Sequence, residues 1–425
     1  MKPETLKKIF EKYISRNNLM GYPGIEWPEQ TGIAVVIPVY LEEDYLDACL
    51  NSIISAEKIN TPVSVLLVVN SSERDTTEIV ARQEKMFEYL EEQSQKLSEP
   101  GLKFFVLKKF GIRWKHAGVG AARKTGMDMA VWGFRNSGRY EGPIVSLDAD
   151  VIIAPDYFKE IEKYFRNEKN SGCTIYFEHD ISTGTDAERA EAITQYELYL
   201  RYYKNALRYA GAPFAYHTVG SCFALRAGSY VRAGGMPRKQ AGEDFYLIQK
   251  AAQMGGWGEL NSTCVYPSSR PSDRVPFGTG PVVKDLMSGD PVYKTYTPDA
   301  FYALKELFDK RADLYRITDS EYDTLLKAQD KPLRSFLIQD DFIRELEHLN
   351  KNCSSVNVFE KRFFEVFNAF KVVKYLNFVH NGYYEKLPVT NAAVMLLKDL
   401  NMELPEKTDA VSLLMSYRKI DNKTG

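Results

Sequence analysis

The chain has 425 residues, in which 55 Lys and Arg nearly balance 57 Asp and Glu, for a formal net charge of −2. This length favours two or three domains, and the scattered, balanced charges argue against nucleic acid as a partner. No stretch reaches the ~18 uncharged apolar residues of a membrane-spanning helix, so the sequence predicts a soluble protein and leaves peripheral membrane contact open. Five cysteines without a C-x-x-C pair favour reduced thiols in a cytoplasmic protein over disulfides or a zinc site.

From residue 32 onward, buried-strand patterns alternate with amphipathic-helix patterns. The predicted strands cover residues 33–39, 63–69, 102–107 and 143–150, and the helices between them cover 42–58, 73–96 and a segment that ends near 134. Continuous apolar runs of this kind are typical of parallel strands that are covered on both faces. The order predicts a doubly wound α/β domain with helices on both faces of a mostly parallel sheet.

Beyond residue 150 the order of elements changes. The patterns predict a helix at 155–165, a strand at 173–178, a Tyr-rich helix at 186–209, a strand at 216–225, a helix from 242 and a strand at 257–266. After residue 291 only helices are predicted, at 299–310, 319–327, 333–349, 358–379 and 390–400. We therefore predict an N-terminal helical arm (1–30), which we expect to be an appendage, a catalytic α/β domain (31–285) and a C-terminal α-helical domain (286–425).

Two aspartates, one residue apart, end the predicted strand 143–150. Because side chains alternate along a strand, Asp148 and Asp150 are expected to point the same way, with the small Ala149 between them. At the carboxyl end of a parallel strand they would face the crevice where α/β folds bind ligands. Two carboxylates suit Mg²⁺ or Mn²⁺ carrying a phosphate-bearing substrate. For an isolated D-x-D, capping of the helix that follows is the alternative.

Four further segments stand in a characteristic order around this pair, at residues 36–43, 68–77, 118–126 and 242–244. Together they resemble the family 2 glycosyltransferases, and the resemblance covers about residues 32–280. It implies a GT-A fold, which is a nucleotide-sugar-binding α/β sheet, with a divalent metal (Mn²⁺ or Mg²⁺) at the D-x-D. A nicotinamide oxidoreductase is disfavoured because the Gly118–Gly120 turn lacks the third glycine of the dinucleotide fingerprint.

The first two segments concern the nucleoside. By the resemblance, Pro38, Tyr40 and Glu42 line the uracil and ribose site, although Pro38 alone would equally well only end its strand. The family usually has Asn where this chain has Leu41. Asn70 stands where the family usually has an aspartate that contacts the nucleoside, and an amide can still hydrogen-bond a uracil imide. This departure leaves the identity of the base open.

The other segments concern the diphosphate and the acceptor. By the resemblance, Arg123 faces the diphosphate that Asp148 also contacts through the metal; the alternative is a surface helix arginine. Glu243 and Asp244 resemble the pair whose aspartate is the general base of inverting members. The helix dipole would keep Asp244 ionised but weakly basic, which burial would offset, and acidic residues are also ordinary in a first turn.

A loop rich in Ser and Pro carries Arg270 and Arg274, which we expect to screen the departing diphosphate; a solvated hinge is the alternative. Many family members have a metal-binding histidine late in the catalytic domain, whereas this chain has none between His217 and His348. The metal is therefore expected to have only Asp148, Asp150 and the diphosphate as ligands.

The sequence thus predicts a metal-dependent glycosyltransferase of the hexosyltransferase type. It would move a sugar from a UDP- or GDP-sugar to a hydroxyl of a glycan, lipid-linked or small-molecule acceptor, with inversion and with Asp244 as base. The alternative is a catalytically inactive sugar-nucleotide-binding or scaffold protein with the same fold. A phenylalanine-rich face at 359–370 with interspersed lysines either contacts a membrane or packs against the catalytic domain.

Overall fold

A computed structural model of the protein describes residues 3–19, 21, 25–182, 186–238, 242–274 and 278–423. The chain divides into two compact units. The first contains the described parts of residues 1–182, 218–281 and 422–425, and the second those of residues 183–217 and 282–421. The second unit thus takes its longest helix from the middle of the chain. The functional boundaries at residues 31 and 286 stay a prediction.

The strands in chain order are β1 (Ile33–Val39), β2 (Val63–Ser72), β3 (Leu102–Ile112), β4 (Pro143–Ser146), β5 (Val151–Ile153), β6 (Gly172–Phe177), β7 (Phe223–Arg226), β8 (Trp257–Pro267), β9 (Lys294–Thr295) and β10 (Leu387–Pro388). Short 3-10 helices lie at Trp114–His116 and Arg311–Leu314. The predicted strand at 33–39 is confirmed to the residue, and each of its seven side chains is buried.

The helices in chain order are α1 (Pro3–Asn17), α2 (Leu46–Ile54), α3 (Thr77–Leu97), α4 (Val119–Asn136), α5 (Tyr157–Phe165), α6 (Ala187–Tyr209), α7 (Ala227–Ala233), α8 (Glu243–Gln253), α9 (Thr279–Ser288), α10 (Pro298–Asp309), α11 (Asp319–Ala328), α12 (Lys331–Gln339), α13 (Phe342–Lys351), α14 (Val356–Val366), α15 (Ala369–Gly382), α16 (Val389–Asp399) and α17 (Ala410–Lys423).

Strands β1 to β8 form one sheet, in the order β3-β2-β1-β4-β7-β6-β8-β5. The first four in that order are parallel to one another, as the predicted doubly wound pattern requires. Strand β7 is antiparallel to both β4 and β6, and β5 is antiparallel to β8. After β3 the chain returns past β1 to β4, so a topological switch point lies between β1 and β4. Open α/β sheets bind ligands at the carboxyl ends of the strands at such a point.

Strand β4 is shorter than the sequence predicts. Its pairing with β1 and β7 ends at Ser146, and a turn at Ala149 and Asp150 follows before β5 begins. The expectation that strand alternation points both aspartates the same way is therefore wrong. Because the ladder of hydrogen bonds ends before Asp148, the turn and its ion pairs position the two carboxylates instead.

The N-terminal helix belongs to the first unit and is not the appendage that the sequence predicts. Leu6, Phe10 and Tyr13 of α1 are 5%, 0% and 5% exposed. The Tyr13 hydroxyl donates to Oδ1 of Asp128 at 2.7 Å, and Lys124 forms an ion pair with the same carboxylate at 2.8 Å. A helix that buries this face and completes a buried polar network is part of the core of its unit.

Two long helices predicted for the second unit are each broken in two. The predicted helix at 333–349 is interrupted by Asp341, whose φ of 53° is left-handed. The predicted helix at 358–379 ends before Asn368, whose side chain accepts hydrogen bonds from the N–H groups of Phe370 and Lys371 at 3.0 and 3.2 Å. Asn368 thus caps the helix that follows it through its side chain, whereas Asp341 makes no such cap bond and breaks the helix through a left-handed backbone, which Asp adopts more readily than most residues.

The phenylalanine-rich face of the C-terminal region is buried within the second unit. Phe359, Phe363 and Phe367 are each 0% exposed. Phe363 and Phe367 contact the rings of Phe308 and Phe342, and Phe359 contacts Phe363. These rings are therefore core and not a membrane-facing surface, and peripheral membrane contact stays a prediction without them. None of the described helices is both long enough and apolar enough to cross a membrane.

A buried ionic cluster joins α6 to α17 within the second unit. Oδ2 of Asp421 accepts from Arg201 Nη1 at 2.6 Å, and Oδ1 forms an ion pair with Lys204 Nζ at 2.6 Å. Nearby, Arg418 Nε pairs with Glu197 at 2.8 Å. All five side chains are buried, so each charge depends on the others for its counter-ion.

Candidate active site

Polar residues predicted from the two nucleoside segments and from the D-x-D lie where β1, β2 and β4 end. Glu42 follows β1, Asn70 lies near the end of β2, and Asp148 follows β4. Because these strands are parallel neighbours, their carboxyl ends lie on the same edge of the sheet. The sheet thus brings together segments that are far apart in sequence, at its switch point.

A buried glutamine that the sequence analysis missed holds two of these strand ends together. The Gln83 side chain is 0% exposed; its amide donates to the carbonyl oxygens of Val39 and Asn70 at 3.1 and 2.9 Å, and its oxygen accepts from the N–H of Leu41 at 3.1 Å. Leu41 has a left-handed φ of 55°, which asparagine adopts more readily than leucine. Gln83 lies at helical spacing from Met86 and Leu90, on the buried face of α3. A polar residue on such a face is the sequence feature that could have indicated its role in joining the two strand ends.

The predicted nucleoside-binding residues have different environments. Pro38 continues β1 in register with Val68 and is buried, so the backbone does not yet turn outward there. The Tyr40 hydroxyl donates to Asp75 at 3.1 Å. Asn70 is 4% exposed, and its Oδ1 has no hydrogen-bond partner among the described residues. A buried amide oxygen without a partner is costly unless a ligand supplies the donor.

The loop after β8 brings two arginines onto the carboxylates at this edge. Arg270 donates through Nη2 to Glu42 Oε2 at 2.5 Å and pairs through Nε with Asp150 Oδ2 at 2.8 Å. Its guanidinium also lies 4.1 Å from the ring centre of Tyr45. Arg274 Nη1 contacts Glu42 Oε1 at 2.5 Å and the Tyr40 carbonyl oxygen at 2.7 Å. Arg270 is thereby held against the site, whereas Arg274 stays partly exposed, and the role of this loop at the diphosphate stays a prediction.

Arg123 is a buried residue and not the surface helix arginine of the alternative interpretation. It is 3% exposed, and its two terminal nitrogens form ion pairs with Asp148 and with Glu243. A Cβ atom at Gly220 would lie 2.5 Å from Nη2 of Arg123, so a larger residue there would force the guanidinium to move. That glycine was not singled out from the sequence. A contact between Arg123 and a diphosphate stays a prediction.

Helix α8 begins with the predicted acidic pair, directly after Gly242, which has a left-handed φ of 73°. Glu243 is 1% exposed, whereas Asp244 is partly exposed and its Oδ1 accepts from the N–H of Phe245 at 2.7 Å. Burial, and then the neighbouring Glu243, raise the pKa of Asp244 to about 7, although Arg123 opposes the shift. A raised pKa makes Asp244 a stronger base than an ordinary aspartate.

The site as a whole has a surplus of two negative charges when all its groups are ionised. Its five carboxyl groups belong to Glu42, Asp148, Asp150, Glu243 and Asp244, and its three guanidinium groups to Arg123, Arg270 and Arg274. Burial, and then the charge of Asp150, raise the pKa of Glu42 to about 9; burial, and then Asp148, raise the pKa of Asp150 to about 6.

Within the described ranges no group of three His, Cys, Asp or Glu side chains has the arrangement of a complete metal site. Asp148 and Asp150 nevertheless fit a divalent cation. They are hard oxygen donors, and the guanidinium of Arg270 already places a positive charge against Asp150. Mg²⁺ and Mn²⁺ are commonly held by one or two carboxylates together with substrate phosphates.

Comparison with known proteins gives a family match that covers parts of both units. Residues 34–231 match the model of the family described as Glycosyl transferase family 2. No curated protein matches the chain. Among solved structures, residues 1–349 of S. aureus TarS are 14% identical, over 79% of this chain and 92% of that one, with a TM-score of 0.39. The mannosyltransferase PcManGT from Pyrobaculum calidifontis, solved with GDP-Man and Mn²⁺, is 12% identical, over 99% and 94%, with a TM-score of 0.35.

Proposed function

We propose that this chain, whose residues 34–231 match the family 2 glycosyltransferase model, is an inverting, metal-dependent glycosyltransferase. The donor would be a UDP- or GDP-sugar, and the acceptor a hydroxyl of a glycan, a lipid-linked sugar or a small molecule. The observation that carries the proposal is the junction at Arg123, which ties Asp148 of the D-x-D to the helix that presents Asp244. Arg123 thereby links the proposed cation ligand, Asp148, to the residue that precedes the proposed base, Asp244, whose pKa is about 7.

The donor would bind along the carboxyl edge of the sheet. The buried Asn70 amide, whose oxygen has no described partner, offers a hydrogen bond to the base. Tyr40 and Glu42 border the ribose. Arg274, whose side chain is 30% exposed, and Arg270 are the cations that can turn from Glu42 to the diphosphate, because phosphate accepts bidentate hydrogen bonds from guanidinium groups.

Asp148 and Asp150 would hold the cation. A divalent metal bound there neutralises the charge that develops on the departing nucleoside diphosphate. The carboxylate of Asp244, ionised above about pH 7, accepts the proton of the acceptor hydroxyl as that oxygen attacks the anomeric carbon. The bond to the diphosphate breaks on the opposite face of the sugar, so the anomeric centre inverts.

The proposal is tested by incubating the full chain with a panel of UDP- and GDP-sugars, with Mn²⁺, Mg²⁺ or EDTA, and by measuring release of the nucleoside diphosphate. We expect slow hydrolysis of one donor even without acceptor, lost in EDTA and in Asp150→Asn. The anomeric configuration of a product, read by NMR, tests inversion. Nucleotide binding without turnover of any donor would instead identify an inactive binding protein of the same fold.

Arg270→Gln is expected to tighten binding of Mn²⁺ in the absence of nucleotide by about three- to tenfold, because a cation no longer competes for Asp150. The same variant should bind the nucleoside diphosphate more weakly. Both affinities are measured directly, the first by electron paramagnetic resonance of free Mn²⁺ and the second by calorimetry.

Arg274→Gln is the matched control, since Arg274 pairs with Glu42 and no contact with Asp150 is found for it in the described structure. It should leave nucleotide-free Mn²⁺ binding close to that of the wild type. Weaker Mn²⁺ binding in Arg270→Gln than in Arg274→Gln would contradict the competition.

A further inference from the structure

Both terminal nitrogens of Arg123 are paired with carboxylates of its own chain, whereas its buried Nε has no hydrogen-bond partner among the described residues. Nη2 pairs with Asp148, and Nη1 donates to Oε1 of Glu243 at 2.5 Å. The side chain of Arg123 is 4% exposed and that of Glu243 only 2%. Gly220 packs so closely that any side chain there would collide with the guanidinium. Arg123 is therefore surrounded by protein and has its charge neutralised before a substrate arrives.

To reach the terminal nitrogens of Arg123, a donor diphosphate would have to displace Asp148, whose side chain is 34% exposed and which is also the proposed cation ligand, or the buried Glu243. Displacing Glu243 would leave a buried anion without its counter-ion, which is among the most costly changes inside a protein. Arg274 differs in this respect, because its side chain is 30% exposed and Glu42 keeps Arg270 as a counter-ion when Arg274 turns to a phosphate. The diphosphate contacts thus fall to Arg270 and Arg274, and not to the residue that the family resemblance suggests.

We propose that Arg123 is a positioning residue, which fixes the D-x-D loop against the base helix through Asp148 and Glu243, and that it does not bind the donor diphosphate. This inference rests on the proposed function, since it assigns a role within the same site. Because Glu243 directly precedes Asp244, the Arg123–Glu243 ion pair sets the position of the base relative to the cation ligand. Glu243 is then likewise a positioning residue.

The arrangement also places Asp244 between opposing charges. Glu243 on its own helix and Asp148 on the loop after β4 raise the pKa of Asp244, whereas Arg123 on α4 lowers it. Removing the positive charge should therefore move the acid limb of the pH–rate profile to higher pH. Removing the charge of Glu243 should move the limb to lower pH. A side chain that only stabilised the fold would not give shifts of opposite sign.

The test compares Arg123→Gln, Arg123→Lys and Glu243→Gln with wild type and with Arg274→Gln. The readouts are the metal-free affinity for UDP and for GDP by calorimetry, kcat, KM for the donor, and the pH midpoint of kcat/KM. For Arg123→Gln we expect a fall in kcat of about 100-fold, a nucleotide Kd within threefold of wild type, and an acid limb raised by about one pH unit. Arg123→Lys, which reaches only one carboxylate, should recover part of kcat. Arg274→Gln should show the opposite pattern: it should bind the nucleotide more weakly, and the pH midpoint of its kcat/KM should equal that of the wild type.

A nucleotide Kd weakened tenfold or more in Arg123→Gln, with Arg274→Gln unaffected, would overturn the inference and restore the diphosphate contact. If Arg123→Gln does not fold, Glu243→Gln decides the matter, because it keeps the side-chain volume and an unchanged acid limb there would also overturn the inference. Failure of the proposed function is distinguishable, since the wild type would then turn over no donor in any metal.

Discussion

Replacing Asp244 by Asn is expected to lower kcat by about 10²–10⁴-fold, the usual contribution of a general base, and to leave binding of the nucleoside diphosphate within about threefold. Asn retains the size of the side chain and an acceptor for the N–H of Phe245, but it cannot take a proton. Turnover of the donor in the presence of acceptor, and calorimetric titration of UDP and GDP, measure the two effects separately.

The pH dependence gives a second signature. Burial and Glu243 raise the pKa of Asp244 to about 7, and only the ionised carboxylate accepts a proton. Wild-type kcat/KM should therefore rise as the pH increases through 7 and level above it, and this limb should vanish in Asp244→Asn. Asp47→Asn is the matched control, because Asp47 is an exposed acid in the first turn of α2. It should change neither kcat/KM nor the pH at which kcat/KM rises. Residual activity within tenfold of wild type, with the limb intact, would remove Asp244 from the mechanism.

Asp421→Ala is expected to destabilise the second unit by about 3–5 kcal/mol, the typical cost of removing one partner of a buried ionic network. Arg201 and Lys204 would keep their charges in a buried environment without this counter-ion. Burial raises the pKa of Asp421, but the hydrogen bond with His217 and the nearby cations outweigh it and hold that pKa well below its usual range. The carboxylate is therefore ionised at all ordinary pH values, and its stabilisation is lost only as the pH falls below about 4.

Hydrogen exchange of the amides of α17, combined with urea unfolding, measures this effect. Asp409→Ala is the control, because Asp409 is exposed and accepts from the N–H of Ser412 at the start of the same helix. That variant should lose about 1 kcal/mol, as for other helix caps. Equal losses in the two variants would show that the buried network does not stabilise the second unit.

Local patterns in the sequence were sufficient for the elements that are buried on every side. The β-branched run at 33–39 and the apolar run that begins at Val63 are central strands of the sheet, because a strand covered on both faces has no polar alternation to obscure it. Helix breaks were harder to locate from the sequence. Apolar residues continue at helical spacing on both sides of Asn368. The break there depends on a helix cap, which contributes less free energy than the packing around it.

By itself the sequence determined the α/β class and the alternation of strands β1 to β4 with helices along the chain. It also identified polar candidates for the site, including Glu42, Asp148 and Asp244. Hydrophobic periodicity and motif spacing are local properties, and they are present in the chain before it folds. Only the tertiary structure determined which charged side chains form ion pairs with one another. It ended β4 before the D-x-D, buried Arg123 between Asp148 and Glu243, and brought Arg270 to Asp150. Ion pairs between distant segments depend on burial and on distances of a few ångströms, and no local pattern in the sequence contains that information.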